Sequence, residues 1–449
     1  MMKEWNYKKI GKFGLGLTTA LLLAACGGNG DSGNAGSGTD EGSTEASGNK
    51  VTFVSWLTEQ KDLDQAVLDA YLEENPEADI EFVYVGDNQT ANYYQQVDLM
   101  LMGGDEIDIV MTGSYPDHAQ RAASGSYLAL QEYFDNEGVD PKEEYIDSLI
   151  APVNDTLYGI PGDAKSWIVY MNKEKLDEAG LEVPPVDWTW EDYAEYAEAL
   201  TEDGTYGSYF HTWDHYNYLN IWSLRLGNAI MNEDGTLAFD APKFKEFLEF
   251  RKKMEEDGVQ MPYQTIKATN ASYRDRFFNG EIAMLPLGTF LIPELEDTSS
   301  FPHDFETTFA MMPRDVDAPE GRTYTEALYY AIASSSDAPQ EAYDFLRFYT
   351  TEGAKIKGVN LPTKADEDKM EYVNLMVEDD TLVDMEALET VLNNPQWEDN
   401  PNTTAPAYQR QLTDMMVEEV EKYFLGNDDV DTVIQNMMTR GQQIIDENQ

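Results

Sequence analysis

An α/β fold with a mainly parallel sheet is predicted by three observations. Short apolar runs alternate with helical-period segments at the start of the globular part. About 400 residues of 42% hydrophobic chain are long enough for two full domains. The only cysteine is Cys26, so no intrachain disulfide substitutes for a core.

Val51-Thr52-Phe53-Val54-Ser55-Trp56 reads as a buried strand. Leu63, Ala66, Val67, Ala70 and Tyr71 fall at helical spacing until Asn75-Pro76 stops them. Ile80 to Val85 is a second strand, Asn92 to Met102 a helix, and Ile107 to Met111 a third strand. This order implies right-handed crossovers. The middle is rich in helices. Thr189-x-x-Asp192 is a capping box with Asp for Glu. Asp240 before Ala241-Pro242 and Asp337 before Ala338-Pro339 are expected N-caps. Tyr273, Phe277 and Phe278 share a helix ended by Asn279-Gly280, and Val430 to Ile444 carry the final apolar stripe. No fixed-period repeat occurs.

The chain opens with Lys3, Lys8, Lys9 and Lys12, then an apolar stretch Phe13–Ala25, then Cys26. A basic start, a short greasy core and small residues form the layout of an export signal. The stretch is well short of the roughly 20 residues of a spanning helix. Leu23-Ala24-Ala25-Cys26 resembles a lipobox, in which the cysteine is acylated and becomes residue one. Residues 1–25 are thus expected to be a signal peptide, and Cys26 the only membrane anchor. The alternative is a plainly secreted protein with a chance cysteine; the lack of any other cysteine favours the lipobox. Residues 27–49 hold no large apolar side chain and are expected to be a tether spanning roughly 25–30 Å. Gly28-x-Gly30-x-x-Gly33 lies in it with no strand before it, so it is read as compositional rather than nucleotide-binding.

The formal net charge of −55 excludes nucleic acid, which is bound through phosphate neutralisation, and argues against bare anionic lipid. The acids are spread along the chain, as suits solubility in a salty or alkaline exterior.

Several strings together resemble the carbohydrate-type solute-binding proteins of ATP-binding-cassette importers, the group of maltose-binding protein. They are Ile107-Asp108-Ile109-Val110 with a Gly-Ser-Tyr turn, Gly125 to Leu130, Leu157-Tyr158-Gly159-Ile160-Pro161, Trp167 to Lys173, Pro184 to Tyr193, Phe277 to Met284, and Leu361-Pro362-Thr363. The resemblance implies two discontinuous α/β lobes with a hinge and a ligand cleft between them. It assigns 50–161 and 290–337 to one lobe, and 162–289 and 338–449 to the other. Crossings are then expected near Pro161-Gly162, Gly288 and Ser336-Asp337. Phe210 to Trp222 departs from the family by its density of aromatics and histidine. The resemblance further implies a monomer that binds a carbohydrate, passes it to permease subunits, uses no cofactor and is not an enzyme.

A sugar has apolar C–H faces and a rim of hydroxyls. Aromatic rings cover the first; carboxylates, amides and cations satisfy the second. Ligands of open α/β sheets sit beyond the carboxyl ends of strands. That rule selects Trp56, Glu59 and Lys61 after the first strand, and Tyr115 after the third. It also selects Asp163, Lys165 and Trp167 at the first crossing, and Phe290 at the second. The family resemblance supports Tyr115 and Phe290 most directly. Trp213, His215, Tyr216 and Trp222 are candidates from the second lobe, and Trp397 from the C-terminal part. Several have a structural alternative: Trp56 as a cap on the core, Asp163 as a turn cap, Trp222 as part of a helical core face. His211-x-x-x-His215 has metal-ligand spacing if helical, but crowding aromatics and the absence of His-Glu-x-x-His disfavour a metal. Two other functions stay open: an exported glycoside hydrolase, which 85 acids neither support nor exclude, and a two-lobed binder of another small solute.

Overall fold

A computed structural model describes residues 50–86, 89–401 and 405–448. Cys26, the leader and the tether lie outside the described residues. Among those that are described, no helix is long and apolar enough to cross a membrane.

Among the described residues, ten strands form the framework. They are β1 Lys50–Ser55, β2 Asp79–Tyr84, β3 Ile109–Thr112, β4 Ile160–Asn172, β5 Tyr206–Ser208, β6 Ile282–Gly288, β7 Thr307–Met311, β8 Arg322–Thr323, β9 Thr325–Ile332 and β10 Glu398–Asp399. The predicted opening holds. β1 pairs in parallel with β2 and β3, linked by helices α1 (Lys61–Glu74) and α2 (Thr90–Gly103). Phe53 anchors this lobe, its ring centroid 5.0 Å from both Phe82 and Tyr349.

Beyond β3 the parallel character ends. β9 runs antiparallel to β3 and to the first half of β4. The second half of β4, Trp167 to Asn172, lies between β6 and β7, antiparallel to both. β4 is therefore one continuous strand shared by two sheets, and the chain passes from one lobe to the other between Ser166 and Trp167.

Strand pairing and packing group the described residues differently from the expected boundaries, beginning with residues 162–166, which pair with β9. β7, expected in the first lobe, pairs with the second half of β4 under the helix Met385–Leu392, because a strand buried along its whole length needs cover on both faces. The helix Pro339–Thr350, expected in the second lobe, packs Phe345 and Tyr349 on Phe53 and Phe82 of the first. The later crossings accordingly fall at Tyr324, just before β9, and between Lys364, still tied to Glu144, and the helix starting at Lys369. Gly288 is not a crossing; it ends β6, opposite Trp167.

The Thr189–Asp192 capping box forms in both directions. Asp240 and Asp337 do not cap. Ala241 and Ala338 take the N-cap positions, and the following prolines set the first helical φ; at the second, Ser336 Oγ accepts from the Ala338 N–H.

Candidate functional site

The site is built where the chain crosses. Ser166 shares a hydroxyl hydrogen bond of 3.0 Å with Thr325 on β9, and its N–H donates to Thr289 Oγ1 beyond β6. Thr325 in turn donates to Asp399, which also accepts from Trp397 Nε1 at 2.9 Å. Trp397, expected to close the cleft, is thus a buttress of the crossing, with Lys369 Nζ 3.8 Å above its ring.

From this junction a band of rings spreads across the second lobe. Trp167, 1% exposed, meets His215 edge-on at 4.6 Å and Trp222 at 5.9 Å. Trp222 stacks on Tyr324 at 3.8 Å and 9°. Trp213 lies 5.6 Å from His215 and 5.5 Å from Tyr273, and Tyr273 lies 6.5 Å from Phe290. Lys165, from the first half of β4, holds its ammonium 5.8 Å from the Phe290 ring. Trp213, His215, Phe290 and Tyr324 remain partly exposed.

Charged groups of the first lobe face this band. Burial and the neighbouring Asp214 raise the Glu326 carboxyl above its ordinary range, while Lys165 and His215 oppose the shift. Burial alone would raise Asp214 too; there His215, the Tyr218 hydroxyl at 2.7 Å and Arg410 win and hold it at about 2. Glu59 lies close enough to act on Tyr273, Arg274 and Glu294 across the gap. Arg274 is committed to Glu294 by two hydrogen bonds of 2.6 and 2.7 Å. Asp117, at the start of helix α3 (Tyr115–Ala123), stands 3.9 Å from Arg410 of the second lobe. Rings on one wall and mixed charge on both suit a ligand that is flat on its faces and polar around its rim.

The structure brings Glu59, Lys165, Trp167, Trp213, His215, Trp222 and Phe290 together here. Other candidates are engaged within the protein. Trp56, 5% exposed, packs edge-on against Tyr93 at 4.9 Å and caps the first core. Lys61 lies over Tyr84 at 4.7 Å. Tyr115 begins α3 rather than sitting in a turn, and its hydroxyl donates to the Pro152 carbonyl. Tyr216 packs against the band, 5.4 Å from Trp167 and 5.3 Å from His215, but is fully buried and donates to the Pro286 carbonyl at 2.6 Å. Asp163 points into the first lobe, where it binds Lys357 at 2.7 Å and accepts from Tyr330.

Tyr324, Glu326 and Tyr273 were not among the site residues expected from the sequence. Tyr324 and Glu326 are two apart around Thr325, a spacing that places both on one face of extended chain; the signal exists but means little until a crossing is placed there. The His211–His215 spacing loses its meaning, since only Asp214–Asn217 form a turn of 3-10 helix. Among the described residues no group of three or more His, Cys, Asp or Glu is placed to hold a metal.

Residues 55–356 match the family model described as bacterial extracellular solute-binding protein, and the chain belongs to that family. A multiple sugar-binding protein of Streptococcus mutans serotype c is 24% identical over 380 residues, 79% of this chain and 81% of its own. The sn-glycerol-3-phosphate-binding periplasmic protein UgpB of Escherichia coli K12 is 24% identical over 212 residues, 44% of this chain and 47% of its own. Among solved structures, a sugar transporter of Rhizobium etli in an open conformation superposes with a TM-score of 0.72 at 22% identity, covering 87% of this chain and 98% of that one. The substrate-binding protein of Listeria monocytogenes in complex with cycloalternan also gives 0.72, at 21% identity over 88% and 98%. These likenesses establish the two-lobed fold.

Proposed function

We propose that this chain captures a sugar or oligosaccharide outside the cell and hands it unchanged to the permease of an ATP-binding-cassette importer, while Cys26 carries the lipid that keeps it at the membrane. The observation that carries the reading is the ring band from Tyr324 to Phe290 facing Glu59, Lys165 and Glu326. Stacked rings take the apolar faces of a pyranose, and the charged groups take its hydroxyls. The relatives named for sugars support the same reading.

A competing reading as a hydrolase draws on one observation: Asp214 and Glu326 are pushed in opposite directions, as an acid/base pair would be. Asp214 is already engaged by His215 and Tyr218, which favours binding over chemistry. Incubation with maltose, maltotriose, raffinose and isomaltose, followed by a reducing-end assay and calorimetric titration, separates the two. Binding without release is expected; release of new reducing ends would move the assignment to an enzyme. Cys26→Ser is expected to shift the protein from the membrane fraction to the medium, and persistent anchoring would contradict the lipid role.

A further inference from the structure

Three buried polar atoms in the ring band lack a partner in the protein: Trp167 Nε1, His215 Nε2 and His211 Nδ1, the last beside Trp213 at 4.5 Å between rings. Other orphaned nitrogens, such as those of His118 and Arg251, belong to side chains outside the ring band. Trp167 and His215 instead share a ring contact of 4.6 Å at the strand crossing, and His215 is partly exposed. Their roles are fixed by chemistry. An indole N–H only donates. His215 Nδ1 faces Asp214 Oδ1 at 3.5 Å; in the neutral imidazole this places the proton on Nδ1 and leaves Nε2 an acceptor.

A lone donor beside a lone acceptor is the complement of a hydroxyl, which accepts through a lone pair and donates its proton. A phosphate or carboxylate oxygen only accepts. It would meet the His215 lone pair and the negative charge of Asp214 and Glu326. Of the nearby cations, Arg274 is committed to Glu294, Arg410 lies near Asp117 and Asp414, and Lys165, beside the Phe290 ring, is offset by Glu326. We infer that Trp167 and His215 form a hydroxyl-reading subsite, and that the cleft takes an uncharged saccharide and rejects glycerol phosphates and other phosphate esters. The inference rests on the sugar reading and narrows it.

The test is calorimetric titration at pH 7.5. The probes are maltose, maltotriose, isomaltose, raffinose, sn-glycerol 3-phosphate and glycerophosphocholine, followed by monodeoxy and monodeoxyfluoro forms of the tightest saccharide. At least one saccharide is expected to bind, and neither phosphate ester. His215→Phe and Trp167→Phe should each weaken that saccharide about tenfold, the scale of leaving one buried polar group unpaired. One deoxy position should lose about tenfold in the wild type and nothing further in His215→Phe. Fluorine at that position accepts but cannot donate, so it should not rescue binding. If either variant fails to fold by circular dichroism, the deoxy series on the wild-type protein decides alone. A saccharide bound equally well by wild type and both variants, or a deoxy series with no sensitive position, overturns the subsite while leaving the sugar reading intact. Binding of a phosphate ester with no saccharide, or of no probe at all, overturns the sugar reading and the subsite together.

Discussion

Phe290 shows what one side chain contributes. It is half-buried, its edge fills the space beside Gly288, and its ring lies between Tyr273 and the Lys165 ammonium. Removing the ring deletes a stacking face but little of either core. Phe290→Ala is therefore expected to lower saccharide affinity roughly tenfold, the scale of one ring pair with its buried area, with an unchanged melting temperature. Equal affinity in a titration would take Phe290 out of the site. His118 makes a contrasting case. It lies between Tyr127 and Tyr329 at 5.4 and 5.2 Å, fully buried, and burial with Arg121 nearby pushes it down to about 3. The unfolded chain takes up this proton near pH 6.5 and the native state does not. Stability contributed by neutral His118 is thus present above pH 6.5 and falls by about 1.4 kcal/mol per pH unit from there towards 3. Urea unfolding of wild type and His118→Phe between pH 7 and 4 should show that slope in the first and a shallower one in the second; parallel curves would contradict the burial argument.

Elements whose causes are local were legible in the sequence, and those fixed at a distance were not. β1, β2, β3 and the Thr189 capping box depend on neighbours within a few residues, and all form within one or two residues of expectation. The crossing inside β4 was displaced because nothing local breaks the strand; the sheet changes while the strand runs on. Asp163 illustrates the same limit. A carboxylate after a strand end suits a ligand, but its partner Lys357 is 194 residues away. There Lys357 lies 4.2 Å from the Tyr349 ring, with Tyr330 on the same carboxylate. This ties the helix Glu352–Lys357 to β4. Burial opposes the charge on Asp163, but Lys357 and Tyr330 hold its carboxyl below the usual range, so the pair stabilises above about pH 4 and is lost as pH falls through the lowered value. Lys357→Met leaves a buried carboxylate alone and is expected to cost about 3–5 kcal/mol in urea unfolding at pH 7. A loss below about 1 kcal/mol would mean that the pair does not hold these elements together.

For the whole molecule, the two walls are physically different. The second lobe supplies most of the rings and the first lobe supplies Glu59, Asp117 and Glu326, so a guest between them completes contacts that neither lobe makes alone. A ligand held by both lobes stabilises the folded chain through linkage, by about 2.7 kcal/mol at a hundredfold excess over its dissociation constant. The most direct measurement is the melting temperature in saturating saccharide beside the same concentration of sn-glycerol 3-phosphate. A rise of several degrees with one saccharide class and none with the phosphate is the predicted result; a rise with the phosphate alone would contradict a cleft built for an uncharged sugar.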